Sequence, residues 1–593
     1  MIFGKHINHY YRKYAGLLLL GLLALAFVDY IQLIIPQLYQ MIINGINQGE
    51  VLVDGVMMPF DMAFLLDKVC LPLIGIIIGI VLGRFAWRAL LFGAAIRVET
   101  DLRDRMFDNA RHLSQEYYQV HKVGNLMSLF TNDLDTVQEC YGSGICMFFD
   151  AMFLGVLAIR KMWGMDPFLT ILSMIPMAFL MAAATVLGRY MMKKWDIRQE
   201  SFSKLSDFAQ ESFSGISVIK AFVKEAKELM AFKKLNVEHE KANVDHTKAS
   251  VLLRILVNLF VESVICVILG YGGYLVYQGT FNAGQLVEFI GYFSSITWPI
   301  MAVAELIDMS SRGKASLDRI SQLLDAKEDV TDRPNAVALT DLQGKVEFRD
   351  LTFIYPGEQH PVLENVSFTI EPGENVGLVG KTGSGKTTLV DLVLRTYNVP
   401  DGTLFLDDRD VNDLTIRSVR DGCAYVPQDN FLFSDTIAHN ISFGVEGNEQ
   451  EEVAQAASLA CVADNIEGFQ HGYETVLGER GVTVSGGQKQ RISIARALMK
   501  QAPILILDDS VSAVDTKTER SILENLRKTR AGKTTILIAH RISTIQQMDK
   551  ILFLNDGKLE AAGTHEELYA ACPEYRKMVD LQKLEEEGGN ANA

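Results

Sequence analysis

The sequence has no excess of positive charge. Its 56 Lys and Arg are outnumbered by 72 Asp and Glu, for a net charge of -16. Such a composition does not supply the basic surface that neutralises a polyanion, so a nucleic-acid partner is not expected. Cysteine is sparse and unpatterned. The seven residues, Cys70, Cys140, Cys146, Cys266, Cys423, Cys461 and Cys572, form no CxxC and no ladder of metal-ligand spacing. Most lie in apolar runs, where Cys packs as a small hydrophobe, and no zinc site is expected. A cleavable leader is also not expected. Lys5, Arg12 and Lys13 precede an apolar run, but the run continues to about Ile43 and shows no convincing cleavage site. It is too long for a signal-peptide core and reads as an uncleaved first membrane helix.

What the chain does have is hydrophobicity in two arrangements. Of its 593 residues 49% are hydrophobic. The first half concentrates them in long runs; the second alternates short apolar runs with Gly, Asp and Lys. A membrane part followed by a soluble part explains this better than one large globule. About six stretches reach the roughly 20 residues a bilayer requires: Tyr14–Ile43, Val69–Ala95, Gly142–Met162, Pro167–Tyr190, Leu252–Tyr277 and Leu286–Met309. The third is short and interrupted by Asp150. The basic residues ahead of the first span place the N-terminus in the cytosol. Segment Asn44–Lys68 is nearly free of Lys and Arg and belongs outside, whereas Arg97–Glu139 and Met191–Ser250 are rich in both and belong inside. Arg160 and Lys161 run against the rule and are outvoted. Both inside segments have helical periodicity, and each is broken once, near Gly124 and near Gly215. The breaks are either surface turns or contact points for another domain.

Ionisable residues within spans are expensive and face a cavity or a partner. Here they are Asp29, Arg84, Arg88, Asp150, Glu262, Glu288, Glu305 and Asp308. Arg84 and Arg88, four apart, share a helix face. They either line a polar path or pair with Asp29 or Glu305. Trp298-Pro299 is expected to kink the sixth span.

The polar stretch from Asp325 to Gly344 reads as a linker. The sequence therefore divides into a membrane domain (1–324), a linker (325–345), an α/β domain (346–581) and a short tail (582–593). In the α/β domain, strands at Asn375–Val379, Cys423–Pro427, Ile504–Asp509 and Thr534–His540 alternate with helical stretches, as in a largely parallel sheet. Gly380-Lys381-Thr382-Gly383-Ser384-Gly385-Lys386-Thr387, followed by Thr388, fits GxxxxGK[ST] between a strand and a helix. In that setting backbone N–H groups wrap phosphate oxygens, Lys386 neutralises β- and γ-phosphate charge, and the Thr387 hydroxyl is a Mg²⁺ ligand. Asp508 closes an apolar strand, where a carboxylate can hold Mg²⁺ through water. Asp509, next to it, stands where a second carboxylate can polarise an attacking water. Alone, the acidic pair would read as a plain loop; beside a phosphate loop it acquires a role.

Val484-Ser485-Gly486-Gly487-Gln488, continued by Lys489-Gln490-Arg491, resembles the signature sequence of ATP-binding cassette (ABC) proteins. The likeness covers nearly the whole chain and is strongest from about Val346 to Leu581. The first half resembles the exporter-type membrane domain with six spans per half. The resemblance implies an all-α six-span transmembrane domain joined to an α/β P-loop nucleotide-binding domain, with ATP and Mg²⁺ as ligands. It implies that two nucleotide domains face each other, so that Ser485, Gly486, Gly487 and Gln488 complete the site on a partner chain. It assigns Tyr355 to adenine stacking, Gln428 to sensing Mg²⁺ and the membrane domain, and Glu479 to the loop that contacts intracellular helices. It assigns Ser512-Ala513-Val514-Asp515 to the link between the two sites and His540 to the γ-phosphate switch. The breaks near Gly124 and Gly215 match the regions of the two coupling helices.

Two positions depart from the family: Val484 stands for the usual Leu of the signature, and Asp509 is the departure that matters. Most members carry Glu as catalytic base where this chain has Asp509, one methylene shorter. The resemblance then implies the degenerate-site subunit of a heterodimeric, multidrug-type exporter. Its partner would be a second half-transporter with the Glu, and the site would be a cell membrane, plasma or inner. Hydrophobic or amphipathic drugs, lipids or peptides are the expected cargo. An importer on the same fold, or an ATP-gated channel or sensor, are the alternatives. With no protease domain ahead of the first span, an exporter that cleaves its own peptide cargo is not expected.

Overall fold

The computed structural model describes residues 3–590, other than 54–55, 448, 479–480 and 482–483. Glu479 therefore lies outside the described residues. The chain forms two compact units: Met1–Asp108 with Leu126–Asp325, and Asn109–Asn125 with Ala326–Ala593.

The first unit is helical. Among the described residues five helical stretches are long and apolar enough to cross a membrane: Ala15–Gln48, Met62–Ala110, Val123–Met165, Glu225–Tyr277 and Ala283–Asp325. The span expected at Pro167–Tyr190 begins as the apolar stretch Pro167–Leu180 inside the continuous helix Pro167–Ser214. That helix has 48 residues. At 1.5 Å per residue it is about 70 Å long, more than twice a hydrocarbon core of about 30 Å, so it projects well beyond the bilayer. Large apolar side chains such as Ile74, Ile77, Val81 and Phe85 stand exposed along the helix Leu71–Ala110, as a lipid-facing surface requires.

Two local features differ from the expectation. The first span is not one helix but two, Ala15–Gln32 and Ile35–Gln48. Pro36 at the start of the second has no N–H to donate to the Gln32 carbonyl, so the ladder pauses there. The outside segment contains a β-hairpin, with β1 (Glu50–Val53) antiparallel to β2 (Val56–Pro59). It is anchored by a small cluster of Val51, Phe64 and Val69. The helix Ala283–Asp325 runs through Pro299 without ending. At the second expected break, the short helix Ile216–Ala221 separates Pro167–Ser214 from Glu225–Tyr277.

The second unit holds two sheets. Its strands are β3 (Val346–Phe353), β4 (Leu363–Ile370), β5 (Asn375–Gly380), β6 (Leu404–Leu406), β7 (Arg409–Asp410) and β8 (Cys423–Val426). They are followed by β9 (Ile504–Asp508), β10 (Thr534–Ile538), β11 (Lys550–Asn555) and β12 (Lys558–Gly563). The larger sheet has the order β12-β11-β5-β10-β9-β8, parallel except for β12 at one edge. The smaller sheet, β4-β3-β6-β7, is antiparallel. Every residue of β9 and β10 is buried, as in a parallel sheet covered on both faces. Alternate side chains enter two cores. Leu505, Leu507 and Leu537 face one with Val453, Ile492 and Ile522; Ile504, Ile506, Ile536 and Ile538 face the other with Val346, Leu363 and Leu404. The short helix Gln115–Val120, from the membrane half of the sequence, belongs to this unit.

Candidate nucleotide site

The parallel sheet gathers the site. Because β5, β10, β9 and β8 are neighbours running in one direction, their C-terminal ends lie side by side. These ends lead into the Gly380–Gly385 loop, His540, Asp508-Asp509 and Gln428 respectively. Ligands of open α/β sheets bind at this edge. Residues from four distant parts of the sequence thus meet through register alone, and Asp508 pairs directly with Ile538, two residues before His540.

The loop takes its shape from glycine. Gly383 and Gly385 have φ of 84° and 91°, in the left-handed region that L side chains avoid. A Cβ on Gly380 would lie 2.1 Å from the Leu554 carbonyl oxygen. Gly385 caps the helix Lys386–Val393, so the first turn's free N–H groups point into the loop. Lys386 folds back over it. Its Nζ donates to the Gly380 and Lys381 carbonyls at 3.0 and 2.8 Å and to Ser384 Oγ at 3.4 Å. Burial pulls the Lys386 ammonium below its usual pKa, and Asp508 and Asp509 work against that. Thr382 lies in the turn of the same loop.

Asp508 is 1% exposed, and among the described residues its Oδ2 has no hydrogen-bond partner. Burial pushes its carboxyl above the ordinary range; the Thr387 hydroxyl, hydrogen-bonded to it, and the nearby Lys386 and His540 pull the other way. A buried acceptor beside a threonine hydroxyl at a phosphate loop suits a hard divalent cation. Asp509 is half-buried and adopts φ of 47°, a conformation in which Asp is enriched among non-glycine residues. Its N–H donates to the Ile538 carbonyl at 3.0 Å, and its carbonyl accepts from Ser512 Oγ at 2.9 Å. His540 and Gln428 are exposed on the same edge; the His540 carbonyl accepts from Gln582 Nε2 at 2.7 Å.

Tyr355 follows β3 and joins the loop helix through its hydroxyl, 2.9 Å from Thr388 Oγ1. Its ring meets Phe353 and Tyr397 edge-on, both with centroids 5.1 Å away. The signature residues lie elsewhere. Ser485 caps the helix Gly486–Met499 in a reciprocal capping box with Gln488, and Ser485 and Gly486 are exposed. Among the described residues they make no hydrogen bond to the phosphate loop. The signature helix is instead tied to the segment after Asp509: Gln490 Oε1 accepts from the Ala513 N–H at 3.0 Å, and a Cβ on Gly487 would lie 3.0 Å from the Ala513 carbonyl oxygen.

Tyr397 and Asp391 escaped sequence reasoning, and Gln490 was read only as part of the signature motif, without its tie to Ala513. Gln490, 6% exposed, has the signal of a buried amide in a helix, which must find partners. Tyr397 donates its hydroxyl to Gln119 Oε1 at 2.9 Å, which no local pattern announces. Asp391, one turn into the loop helix, has its carboxyl pushed up to about 6 by burial and by Asp508.

The chain matches the ABC transporter transmembrane region family over residues 18–300 and the ABC transporter family over residues 363–512. It is 34% identical to a probable multidrug resistance ABC transporter ATP-binding/permease protein of Bacillus subtilis, over 99% of each chain. It is also 34% identical to a multidrug resistance-like ATP-binding protein of Escherichia coli, over 97% of this chain and 95% of that one. The solved structure of a bacterial Atm1-family ABC exporter with ATP bound superposes with a TM-score of 0.75 at 26% identity, covering 97% of this chain and 99% of the other. With a helical unit apolar enough to span a membrane and an α/β unit whose strand ends assemble a phosphate loop with two carboxylates, the chain belongs to the ABC transporters, as an exporter-type half-transporter.

Proposed function

We propose that this chain is the permease and ATP-binding half of a heterodimeric exporter of hydrophobic or amphipathic cargo, and that its own ATP site hydrolyses slowly. The single observation that carries the slow-site reading is Asp509, following β9 where a longer carboxylate serves as base in most of the family. A side chain shorter by one methylene holds its oxygens about 1 Å or more from the attacking water, and misplacement on that scale costs on the order of 10²-fold in rate. The multidrug names of the relatives support the cargo class. The boundaries that fit this reading are residues 1–324 for the permease, 325–345 for the linker, 346–581 for the ATPase and 582–593 for the tail.

In this reading Tyr355 stacks on adenine, and the loop N–H groups from Gly380 to Thr388 cradle the phosphates. Lys386 exchanges its loop acceptors for β- and γ-phosphate oxygens. Thr387, Asp508 and Gln428 would hold Mg²⁺, which when bound would supply positive charge to offset that of the phosphates. Asp509 and His540 flank the attacking water and the γ-phosphate. Ser485, Gly486, Gly487 and Gln488 offer an exposed helix N-terminus to the nucleotide of a partner chain.

The test is ATP turnover by the chain purified alone. Turnover at most a few per cent of that of the assembled pair is expected, and Asp509→Glu should raise hydrolysis within the pair. Robust turnover by the chain alone, as a homodimer, would sink the proposal.

A further inference from the structure

The membrane unit holds a half-open cavity of about 630 Å³, within the range of pockets that hold drug-sized molecules. Its walls come from four helical stretches, Ala15–Gln32, Leu71–Ala110, Leu134–Met165 and Ala283–Asp325. Four carboxyl side chains line it, Asp29, Glu139, Asp150 and Glu305, against two guanidinium groups, Arg84 and Arg88.

The two arginines are already engaged. Arg84 donates to Gln32 Oε1 at 3.4 Å, and Arg88 lies 5.3 Å from the centroid of the Trp87 ring. Among the described residues neither pairs with a carboxylate, so the structural ion pairs weighed from the sequence are not formed. Asp150 is partly satisfied, since its Oδ2 accepts from Trp298 Nε1 at 2.9 Å. Asp29 is different. It is 2% exposed and lines the cavity, with its carboxyl in hydrogen-bond reach of Asp150 and near the Arg84 charge, and among the described residues its Oδ2 has no hydrogen-bond partner. A buried acceptor without a donor is destabilising, and within a bilayer water does not readily relieve it. A ligand that brings a charged donor does. Trp87, Phe92 and Trp298 also line the cavity and offer ring faces to an apolar or cationic group. An anion would meet more carboxylates than arginines, and arginines that already have partners.

We infer that this cavity binds an amphipathic protonated amine, with the ammonium at Asp29 and Asp150 and the apolar body against the tryptophan and phenylalanine rings. The inference rests on the exporter reading only in making this ligand the cargo.

The test uses the full-length chain in nanodiscs of neutral phosphatidylcholine, without ATP. Two probes share one dansyl body: dansylcadaverine, which carries a protonated amine, and dansyl-6-aminohexanoate, which carries a carboxylate. Fluorescence anisotropy should show saturable binding of the amine and none of the acid. Asp29→Asn should weaken amine binding at least ten-fold, Asp29→Glu should restore most of it, and Glu262→Gln, outside the cavity, should leave it unchanged. Wild-type affinity in Asp29→Asn, tighter binding of the acid, or equal loss in Asp29→Asn and Asp29→Glu would overturn the proposal, the last by assigning Asp29 to packing. If the amine binds as stated but inverted vesicles fail to accumulate it with ATP, the exporter reading fails and the site stands.

Discussion

The Lys386 ammonium is bonded to three acceptors of its own loop, and in the proposed reading incoming phosphates replace all of them. That exchange is favourable because phosphate oxygens are charged and the loop acceptors are not; hydrogen bonds to charged groups contribute about 1.5–3 kcal/mol each. Lys386→Ala should therefore weaken ATP binding by roughly 10- to 100-fold or more, read by titrating a fluorescent ATP analogue. Unchanged affinity would exclude Lys386 from the phosphate site. Asp391 gives a pH signature at the same scale. Its folded pKa is raised to about 6 from 3.8, so the unfolded chain ionises first as pH rises. The stability this carboxyl permits is full below the unfolded value and is lost as pH climbs through the folded one. A shift of roughly two units corresponds to about 3 kcal/mol as an upper bound. Asp391→Asn has no such titration. Its stability advantage over wild type should be near zero at pH 4 and grow up to about pH 7, measured as the nucleotide unit's thermal midpoint without nucleotide. A pH-independent difference would show that Asp391 is not buried as an acid.

At the scale of elements, the short helix Gln115–Val120 is fastened to the nucleotide domain through Tyr397, and Tyr397 touches Tyr355 edge-on. The proposed base-stacking residue Tyr355 and this piece of the membrane half thus both contact Tyr397. Tyr397→Phe keeps the ring contact and removes the hydrogen bond to Gln119. ATP affinity should stay within about two-fold of wild type, since a neutral hydrogen bond contributes only about 1 kcal/mol and this one does not touch the nucleotide. Stimulation of ATP turnover by cargo should fall in the assembled transporter. Full stimulation in the variant would show that the bond plays no part in coupling. The same element marks where sequence reading stops. The phosphate loop is legible because glycine, lysine and threonine at fixed spacing dictate a local backbone, and β5, β8, β9 and β10 because short apolar runs end in turn residues. The break ahead of Pro36 was hidden inside an apolar run whose length alone suggested one helix. The β1–β2 hairpin had no alternation strong enough to stand out between two spans. The bond from Tyr397 to Gln119 joins residues 278 apart, and nothing local in either neighbourhood encodes it.

At the scale of the whole molecule, the proposed pairing makes one chain carry the parts of two different ATP sites. Its phosphate loop, Asp508 and Asp509 belong to one; its exposed Ser485-Gly486 helix start, fixed through Gln490 and Gly487 to the segment after Asp509, suits the other. If the partner supplies the longer carboxylate, the two halves of this chain are unequal in consequence. Its signature serves the fast site, and its own loop the slow one. Ser485→Arg places a bulky cation where phosphate oxygens would meet helix N–H groups, removing charge stabilisation of the kind that contributes roughly 10²–10³ in rate. In the assembled pair it should reduce turnover by about 100-fold. Lys386→Ala in the same pair empties only the slow site, and turnover should fall less than about ten-fold, because the partner's loop and this chain's signature still close around the other ATP. Measuring both variants in one preparation, with cargo accumulation in inverted vesicles alongside, separates the possibilities. Equal losses would mean that the two sites contribute alike and that Asp509 does not mark a slow one. A larger loss from Lys386→Ala would reverse the assignment and make this chain's own site the one that drives transport.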